Sequence, residues 1–215
     1  MRPSRHKAGG IRQEELREGI YHLSFTIYHS SEASYLCPMV LDLIDELYVG
    51  QDELKRLLLR HSMDVWQTAL GVIERHRELG MEEQLVFEGC MAHDIGILLC
   101  KAEKILCFGE ADYLMHGVIG GQLLREHGLE RLAPFAERHT GVGLRAEDFT
   151  GRGLPAPTVP TQPRSMEEKL VAYADKFHSK SRPERVKSFE GVRKSLLKFG
   201  EEQAATFVEW HGIFE

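Results

Sequence analysis

Histidines and aspartates at six positions are the residues of this sequence best suited to do chemistry. They are His61, His93, Asp94, His116, His139 and Asp175. Neutral imidazole donates a nitrogen lone pair to a cation without adding charge, whereas an aspartate neutralises part of the cation's charge and can bridge two ions. A buried aspartate is unfavourable unless it is paired or bound to a metal. Each residue alone is equally well explained as a helix cap or a satisfied polar group, but the set predicts a site for divalent transition metals.

Helical periodicity dominates the rest of the chain and must position these side chains. Apolar residues recur at three- and four-residue spacing, and proline, serine and glycine mark helix starts and ends. We expect helices near residues 38–48, 52–60, 62–80, 82–96, 114–128, 129–139, 165–180, 184–198 and 201–210. In this arrangement His61 opens a helix, His93–Asp94 and His139 end helices, and Asp175 lies near the apolar side of one.

Two stretches depart from the helical pattern. Gly151–Pro163 carries four prolines in thirteen residues, which predicts a long loop that either covers the site as a lid or lies on the surface. Tyr21–His29 is the segment nearest to an alternating strand. We therefore predict an all-α, single-domain helical bundle, with residues 1–33 as an N-terminal tail or extension, 34–180 as the main domain, and 181–215 as C-terminal helices that pack on it.

The composition narrows the class of protein. The 215 residues include 27 Lys and Arg against 33 Asp and Glu, so a net charge of −6 does not favour general binding to membranes or nucleic-acid polymers. Four cysteines form no Cys-x-x-Cys pair and no signal peptide is recognisable, which predicts reduced thiols in the cytoplasm. No apolar run is long enough for a transmembrane helix.

The pattern of His61, the His93–Asp94 pair and Asp175 resembles the HD-domain superfamily of metal-dependent phosphohydrolases, in which HDIG is the commonest context of the dyad. The resemblance covers about Leu54–Phe177, and the phrases HGVIGGQLL and KLVAYADKF look closest to the small HDIG hydrolases. It implies an HD-domain helical bundle over residues 34–180.

The additional His116 and His139 match the binuclear subgroup of that superfamily. This subgroup includes dinucleoside-tetraphosphate hydrolases, cyclic-dinucleotide phosphodiesterases and a few di-iron oxygenases. The Gly-Tyr-Pro signature of the cyclic-di-GMP enzymes is absent, since Thr-Gly-Val-Gly follows His139. The resemblance therefore argues against that substrate but not against phosphodiester chemistry.

The resemblance also implies the ligand assignment. Metal one would be held by His61, His93, Asp94 and Asp175, and metal two by His116, His139 and a shared oxygen of Asp94, which makes Asp94 a catalytic residue as well as a ligand. A bridging water or hydroxide would attack phosphorus in line. Iron is the first expectation for two divalent ions, manganese, nickel or zinc would also suit the site, and magnesium is disfavoured because it prefers oxygen shells.

A basic segment, Lys176–Lys198, begins directly after Asp175. It holds eight Lys and Arg against two Glu, a net charge of 8 − 2 = +6, which is either a solvated helix face or a rim that attracts a phosphorylated substrate. The candidate substrate-binding residues are Lys101, Arg138, Thr140, Lys176 and Lys180, and Lys176 is also a candidate catalytic residue. Cys107, in the Cys107–Gly109 loop, is expected to be a wall of the pocket rather than a nucleophile.

Three functions are compatible with these residues. The first is a phosphohydrolase acting on a small nucleotide or other phosphate ester or anhydride. The second is a di-iron oxygenase of the same fold, acting on a small phosphonate or polyol substrate and distinguished by its need for dioxygen. The third is a degenerate module that only binds a partner, which is disfavoured because no ligand is missing. The apolar helix at Pro38–Tyr48 could also pack against a second copy in a homodimer.

Overall fold

Helices build most of the chain that the computed structural model describes, which is residues 37–215. In chain order they are α1 (Cys37–Leu47), α2 (Asp52–Arg75), α3 (Glu83–Ala92), α4 (His116–Glu126), α5 (Ala133–Arg138), α6 (Ala146–Thr150), α7 (Met166–Asp175), α8 (Phe189–Leu196) and α9 (Glu201–Phe214). Short 3-10 helices span Arg77–Leu79, Ile95–Leu99, Glu103–Ile105, Tyr113–Met115 and Leu197–Phe199. The predicted tail at residues 1–33 and the strand candidate Tyr21–His29 lie outside the described residues.

A small sheet corrects the all-α prediction. Strand β1 (Cys100–Ala102) pairs antiparallel with β2 (Cys107–Phe108) and parallel with β3 (Ala111–Asp112). Strands of two or three residues are too short to show the alternation on which a sequence prediction of a strand depends. The fold is therefore mostly helical, with one three-stranded sheet inserted between the HDIG segment and α4.

Helix α2 is continuous where the sequence pattern predicts two helices, at residues 52–60 and 62–80. Leu54, Leu58, His61 and Val65 are all buried along one stripe at three- and four-residue spacing. No proline or glycine interrupts Arg60–Ser62, so nothing breaks the helix there. As a result His61 lies in the interior of α2 and not at a helix start.

Helix α8 begins at Phe189 and not near residue 184. Ser188 caps it by accepting a hydrogen bond from the backbone N–H of Gly191. Before it, Lys187 donates its backbone N–H to the carbonyl of Phe177, which folds the basic segment back on the end of α7. The residues between α7 and α8 therefore form a loop that lies close to Asp175.

Helix α3 lies at the centre of the described fold, and this position explains its sequence. It packs against α1, α2, α5 and α7, and the stretch Val86–Ala92 is buried without interruption. A helix that is covered on every side needs apolar residues on every side. The end of α3 therefore delivers His93 and Asp94 to the interior.

Glycine at position 96 allows the HDIG segment to reach α4. A Cβ atom at Gly96 would lie 2.2 Å from the carbonyl oxygen of His116 and 2.5 Å from the backbone nitrogen of Gly120. Both neighbours are backbone atoms, which have little freedom to move aside. Gly96 thus sets the short separation between the His93–Asp94 pair and His116.

Among residues 37–215, no helix has the length and apolar character that crossing a membrane requires.

Candidate metal centre

The six predicted ligands converge at one place in the structure. Four helix ends and the middle of α2 bring them into two adjoining groups. Within each group the potential ligand atoms all lie within 4.8 Å of one another. The groups are His61–His93–Asp94–Asp175 and Asp94–His116–His139. All six side chains are buried. Residues that are up to 114 positions apart in the chain, such as His61 and Asp175, therefore become direct neighbours.

The first group surrounds the carboxylates of Asp94 and Asp175. Nε2 of His61 lies 2.9 Å from Oδ1 of Asp175 and 3.3 Å from Oδ2 of Asp94. Nε2 of His93 lies 3.0 Å from Oδ2 of Asp94 and 3.8 Å from Oδ1 of Asp175. Two nitrogens and two carboxylate oxygens thus face a common point, which is a donor set that suits a divalent transition metal.

The second group uses the other oxygen of Asp94. Oδ1 lies 3.4 Å from Nε2 of His116 and 3.4 Å from Nε2 of His139. Oδ2 faces His61 and His93, so the two oxygens of one carboxylate serve different groups. This is the arrangement in which an aspartate can bridge two cations.

Backbone carbonyls fix the orientation of three of the four imidazoles. Nδ1 of His93 lies 2.7 Å from the carbonyl oxygen of Cys90, and Nδ1 of His139 lies 2.8 Å from that of Ala136. His116 makes the same contact with the carbonyl of Tyr113. A carbonyl only accepts, so Nδ1 must carry the proton and Nε2 of a neutral ring is left with a lone pair directed into the site. Such contacts orient metal-binding histidines.

The protonation states of the histidines and aspartates favour cation binding at this centre. Burial lowers the pKa of His116 to about 3 and, together with His93, lowers that of His139, so both rings stay neutral at physiological pH. Burial by itself would raise the pKa of Asp94, but His93 and Lys180 hold it well below its usual value. The pKa of Asp175 is likewise held low, against the effect of burial, mainly by Lys176 and His61.

Unsatisfied polar atoms show that the donor set fits a cation. Oδ1 of Asp94 and Nε2 of His93 are buried and make no hydrogen bond of normal geometry, whereas Oδ2 of Asp94 has the Lys180 ammonium 2.5 Å away. Buried polar atoms without partners are rare and unfavourable in folded proteins. Divalent ions bound between the histidines and aspartates would satisfy these atoms.

Lys180 reaches the centre, and so does Tyr113, which the sequence pattern does not single out. The Lys180 ammonium lies 2.5 Å from Oδ2 of Asp94, and Asp94 and Tyr113 raise the Lys180 pKa despite burial. The Tyr113 ring stacks on that of His116, with centroids 4.6 Å apart and an angle of 20° between the planes. The sequence spacing of Tyr113 and His116 could have indicated this contact, because one helical turn places positions i and i+3 on the same face.

The other predicted substrate-binding residues are less directly placed. Lys176 contacts Oδ2 of Asp175 at 2.6 Å and donates to the carbonyl oxygen of His139. Thr140 follows that ligand and lies beside Gly117 in the first turn of α4. Arg138 forms an ion pair with Glu168, with Nη1 2.9 Å from each carboxylate oxygen.

Lys101 and Cys107 belong to the sheet. Lys101 is exposed and lines a shallow cavity of about 320 Å³ together with Glu103, Phe108 and Glu110. The carboxylates of the two glutamates would repel a phosphate there. Cys107 is buried, and burial raises the pKa of its thiol to about 11, so it is not an activated nucleophile.

The sequence of the centre matches a known family model, the HD domain, over residues 58–180. That range contains all six of the converging histidines and aspartates. The chain belongs to the HD domain family. The matched segment begins within α2 and ends at Lys180, which is the lysine that contacts Asp94.

Three curated proteins illustrate the relatives of this HD domain protein. An uncharacterized protein of Methanocaldococcus jannaschii is 36% identical over 111 residues, which cover 51% of this chain and 57% of the relative. A tRNA (cytidine(56)-2'-O)-methyltransferase of Picrophilus torridus is 28% identical over 59% of this chain, and the corresponding enzyme of Thermoplasma volcanium is 27% identical over 69%. The chain spans only 33% and 40% of the length of these two enzymes. No solved structure matches the chain significantly.

Proposed function

We propose that this HD domain protein is a metal-dependent phosphohydrolase that uses two divalent transition-metal ions to hydrolyse a phosphate ester or anhydride of a small nucleotide. This proposal depends on one observation: the two carboxylate oxygens of Asp94 face different pairs of histidines. Oδ2 faces His61 and His93, and Oδ1 faces His116 and His139. A carboxylate shared between two ligand groups would allow two ions to be held side by side, as two-ion catalysis needs.

Two bound ions would supply an activated water at neutral pH and would stabilise negative charge on the phosphoryl oxygens. Iron is our first choice of metal, with manganese, nickel and zinc as alternatives, because the donor set mixes imidazole and carboxylate. The protein's own contribution is to hold neutral imidazoles and ionised carboxylates in place. The low pKa values of His116 and Asp94 support that role.

Three lysines support a phosphorylated substrate. Lys180 contacts Asp94, Lys176 contacts Asp175, and Lys187 donates from Nζ to the carbonyl oxygen of Lys176. Their ammonium groups therefore lie together at the end of α7, beside the proposed metal ligands. Lys180 is the best candidate to bind a phosphoryl oxygen, because it already lies next to the shared carboxylate, and Lys176 can stabilise charge from behind Asp175.

The methyltransferase names of two relatives do not define the chemistry proposed here. Those names belong to chains of which only 33% and 40% match this protein. A net charge of −6 disfavours a nucleic-acid polymer as the substrate. We therefore propose a small substrate and a cytoplasmic enzyme. We also propose a homodimer through α1, in which the exposed Met39 is available for contact, whereas Val40, Leu43 and Ile44 are already buried within the chain.

The deciding experiment begins with protein that is purified without oxygen and analysed for metal content. The loaded protein is then assayed against a panel of nucleotides and simple phosphate esters, with a transfer RNA included. We expect about two ions per chain and release of phosphate or nucleotide without dioxygen. Turnover that stops when oxygen is removed would favour the oxygenase, and turnover of the transfer RNA alone would overturn the small-substrate proposal.

Variants connect that activity to the centre. Asp94→Ala should abolish both metal binding and hydrolysis, because it removes the oxygens that face both groups. Asp42→Ala, at an exposed position of α1, is the matched control and should change neither. Full activity of Asp94→Ala would exclude this site as the place of reaction. Lys180→Met should raise KM for the phosphorylated substrate, whereas Lys194→Met, at an exposed position of α8, should leave KM unchanged.

A further inference from the structure

Gln203 on α9 holds the chain segment that directly follows His139. The backbone N–H of Val142 donates to Oε1 of Gln203 at 3.0 Å, and Nε2 of Gln203 donates to the carbonyl oxygen of Gly143 at 2.7 Å. Both ends of one side-chain amide are therefore used on two consecutive backbone groups. A two-point contact of this kind fixes the orientation of a turn as well as its position.

The turn itself leaves no room to move towards α9. Gly141 has a φ of +63°, and a Cβ atom there would lie 2.7 Å from Oε1 of Gln203. On the other side, a Cβ atom on Gly143 would lie 2.8 Å from Cα of Gln162. The N–H of Leu144 also donates to the carbonyl oxygen of Thr161. The turn is therefore held between α9 and the end of the Gly151–Pro163 loop.

His139 depends on this turn because its own helix is short. Helix α5 has six residues, and His139 follows its last residue. Its ring is oriented by the carbonyl of Ala136, and its own carbonyl receives the ammonium of Lys176. The chain leaves α5 at His139 and enters the next helix, α6, only at Ala146, so the turn that Gln203 holds is the next backbone contact after that of Lys176.

We infer that Gln203 is a positioning residue for the second ligand group and sets the affinity of the ion held by His116 and His139. This inference rests on the proposed two-ion centre. It assigns a role in that centre to α9, a helix that lies beyond residues 58–180, the segment matched by the family model. Gln203 would act through His139 and would not touch the ion or the substrate.

Metal titration tests the inference without any substrate. Substituting partners that orient metal ligands typically weakens metal affinity about 10–100-fold, so Gln203→Ala should weaken binding of one ion by about that factor and leave the other unchanged. Gln203→Glu keeps the acceptor for Val142 but places a carboxylate oxygen against the carbonyl oxygen of Gly143, so it should also weaken binding of that ion. Gln67→Ala, at an exposed position of α2, is the matched control and should bind both ions normally.

Several results would overturn the inference. Wild-type affinity for both ions in Gln203→Ala and Gln203→Glu, with only a lower melting temperature, would mean that the contact is purely structural. Equal weakening of both ions would remove the link to the second group, and a wild-type protein that binds one ion would remove the second group itself. If the protein binds two ions but turns over no substrate of the panel, the proposed function is wrong and the inference on Gln203 is unaffected.

Discussion

Nε2 of His116 lies 2.9 Å from Nε2 of His139, although both rings already use Nδ1 to donate to a backbone carbonyl. In the neutral rings both Nε2 atoms carry lone pairs, which repel each other at this distance. A proton or a metal ion near both nitrogens would relieve the repulsion, and the low pKa values of both rings disfavour the proton. This pair therefore gives a physical reason for an ion in the second group.

Removing His116 should remove one ion of two. His116→Ala takes away a nitrogen of the second group and leaves His61, His93, Asp94 and Asp175 in place, so elemental analysis should find about one ion per chain. His127→Ala is the matched control, since its exposed ring binds only the carbonyl of Leu123 in its own helix. Two ions retained by His116→Ala would reduce the second group to a structural role.

Acid should destabilise the metal-free protein in a defined pH range. The pKa of His116 is about 3 in the folded protein against 6.5 for the unperturbed group, so between these values the unfolded chain binds a proton that the folded chain does not. Stability then falls as pH falls, with a slope of up to about 1.4 kcal/mol per pH unit for each such group. His139, whose pKa is also lowered, adds to the slope, and Asp94 and Asp175 add to it below about pH 4.

Urea unfolding of chelator-treated protein from pH 7.5 to pH 4 measures this effect. The free energy of unfolding should decrease steadily below about pH 6.5, and the decrease should be smaller in His116→Asn. A free energy of unfolding that stays constant over this range would contradict the protonation states assigned to the centre.

The convergence of these histidines and aspartates was predictable from the sequence because they occur in a recognisable order. His93–Asp94 before a helix-ending glycine and Asp175 on an amphipathic helix are visible without coordinates. The contact of Lys180 with Asp94 and the grip of Gln203 on the turn after His139 were not, because each depends on loops whose path the helical period does not specify.

The fold was predictable where helices are long and amphipathic. The sheet was not, because its strands are two or three residues long. The continuity of α2 is not evident from the local pattern either, because His61 followed by Ser62 resembles a helix start although the buried stripe runs through both residues. In both cases the local sequence is compatible with more than one secondary structure, and tertiary packing selects the one that forms.

Arg138 is expected to stabilise the fold and not to bind the substrate. Its guanidinium is largely buried against Glu168, whose carboxylate also accepts the backbone N–H of Arg164. Removing one partner of a buried pair typically lowers stability by about 3–5 kcal/mol, and we expect Arg138→Met to fall near the lower end. Chemical unfolding measures the loss, and KM for the phosphorylated substrate should stay unchanged. An increase in KM with normal stability would return Arg138 to the substrate site.

Gly96→Ala should damage both the fold and the metal centre. The new methyl group would meet backbone atoms of His116 and Gly120 at 2.2 and 2.5 Å, which forces the HDIG segment away from α4. Overpacking of this kind typically lowers stability by about 1–3 kcal/mol, and the displacement separates Asp94 from His116. Unfolding curves and metal analysis should both respond. Gly212→Ala in α9 is the matched control, because its added Cβ meets nothing within 4 Å and alanine favours a helix. Equal behaviour of the two variants would contradict the close packing on which the geometry of the centre depends.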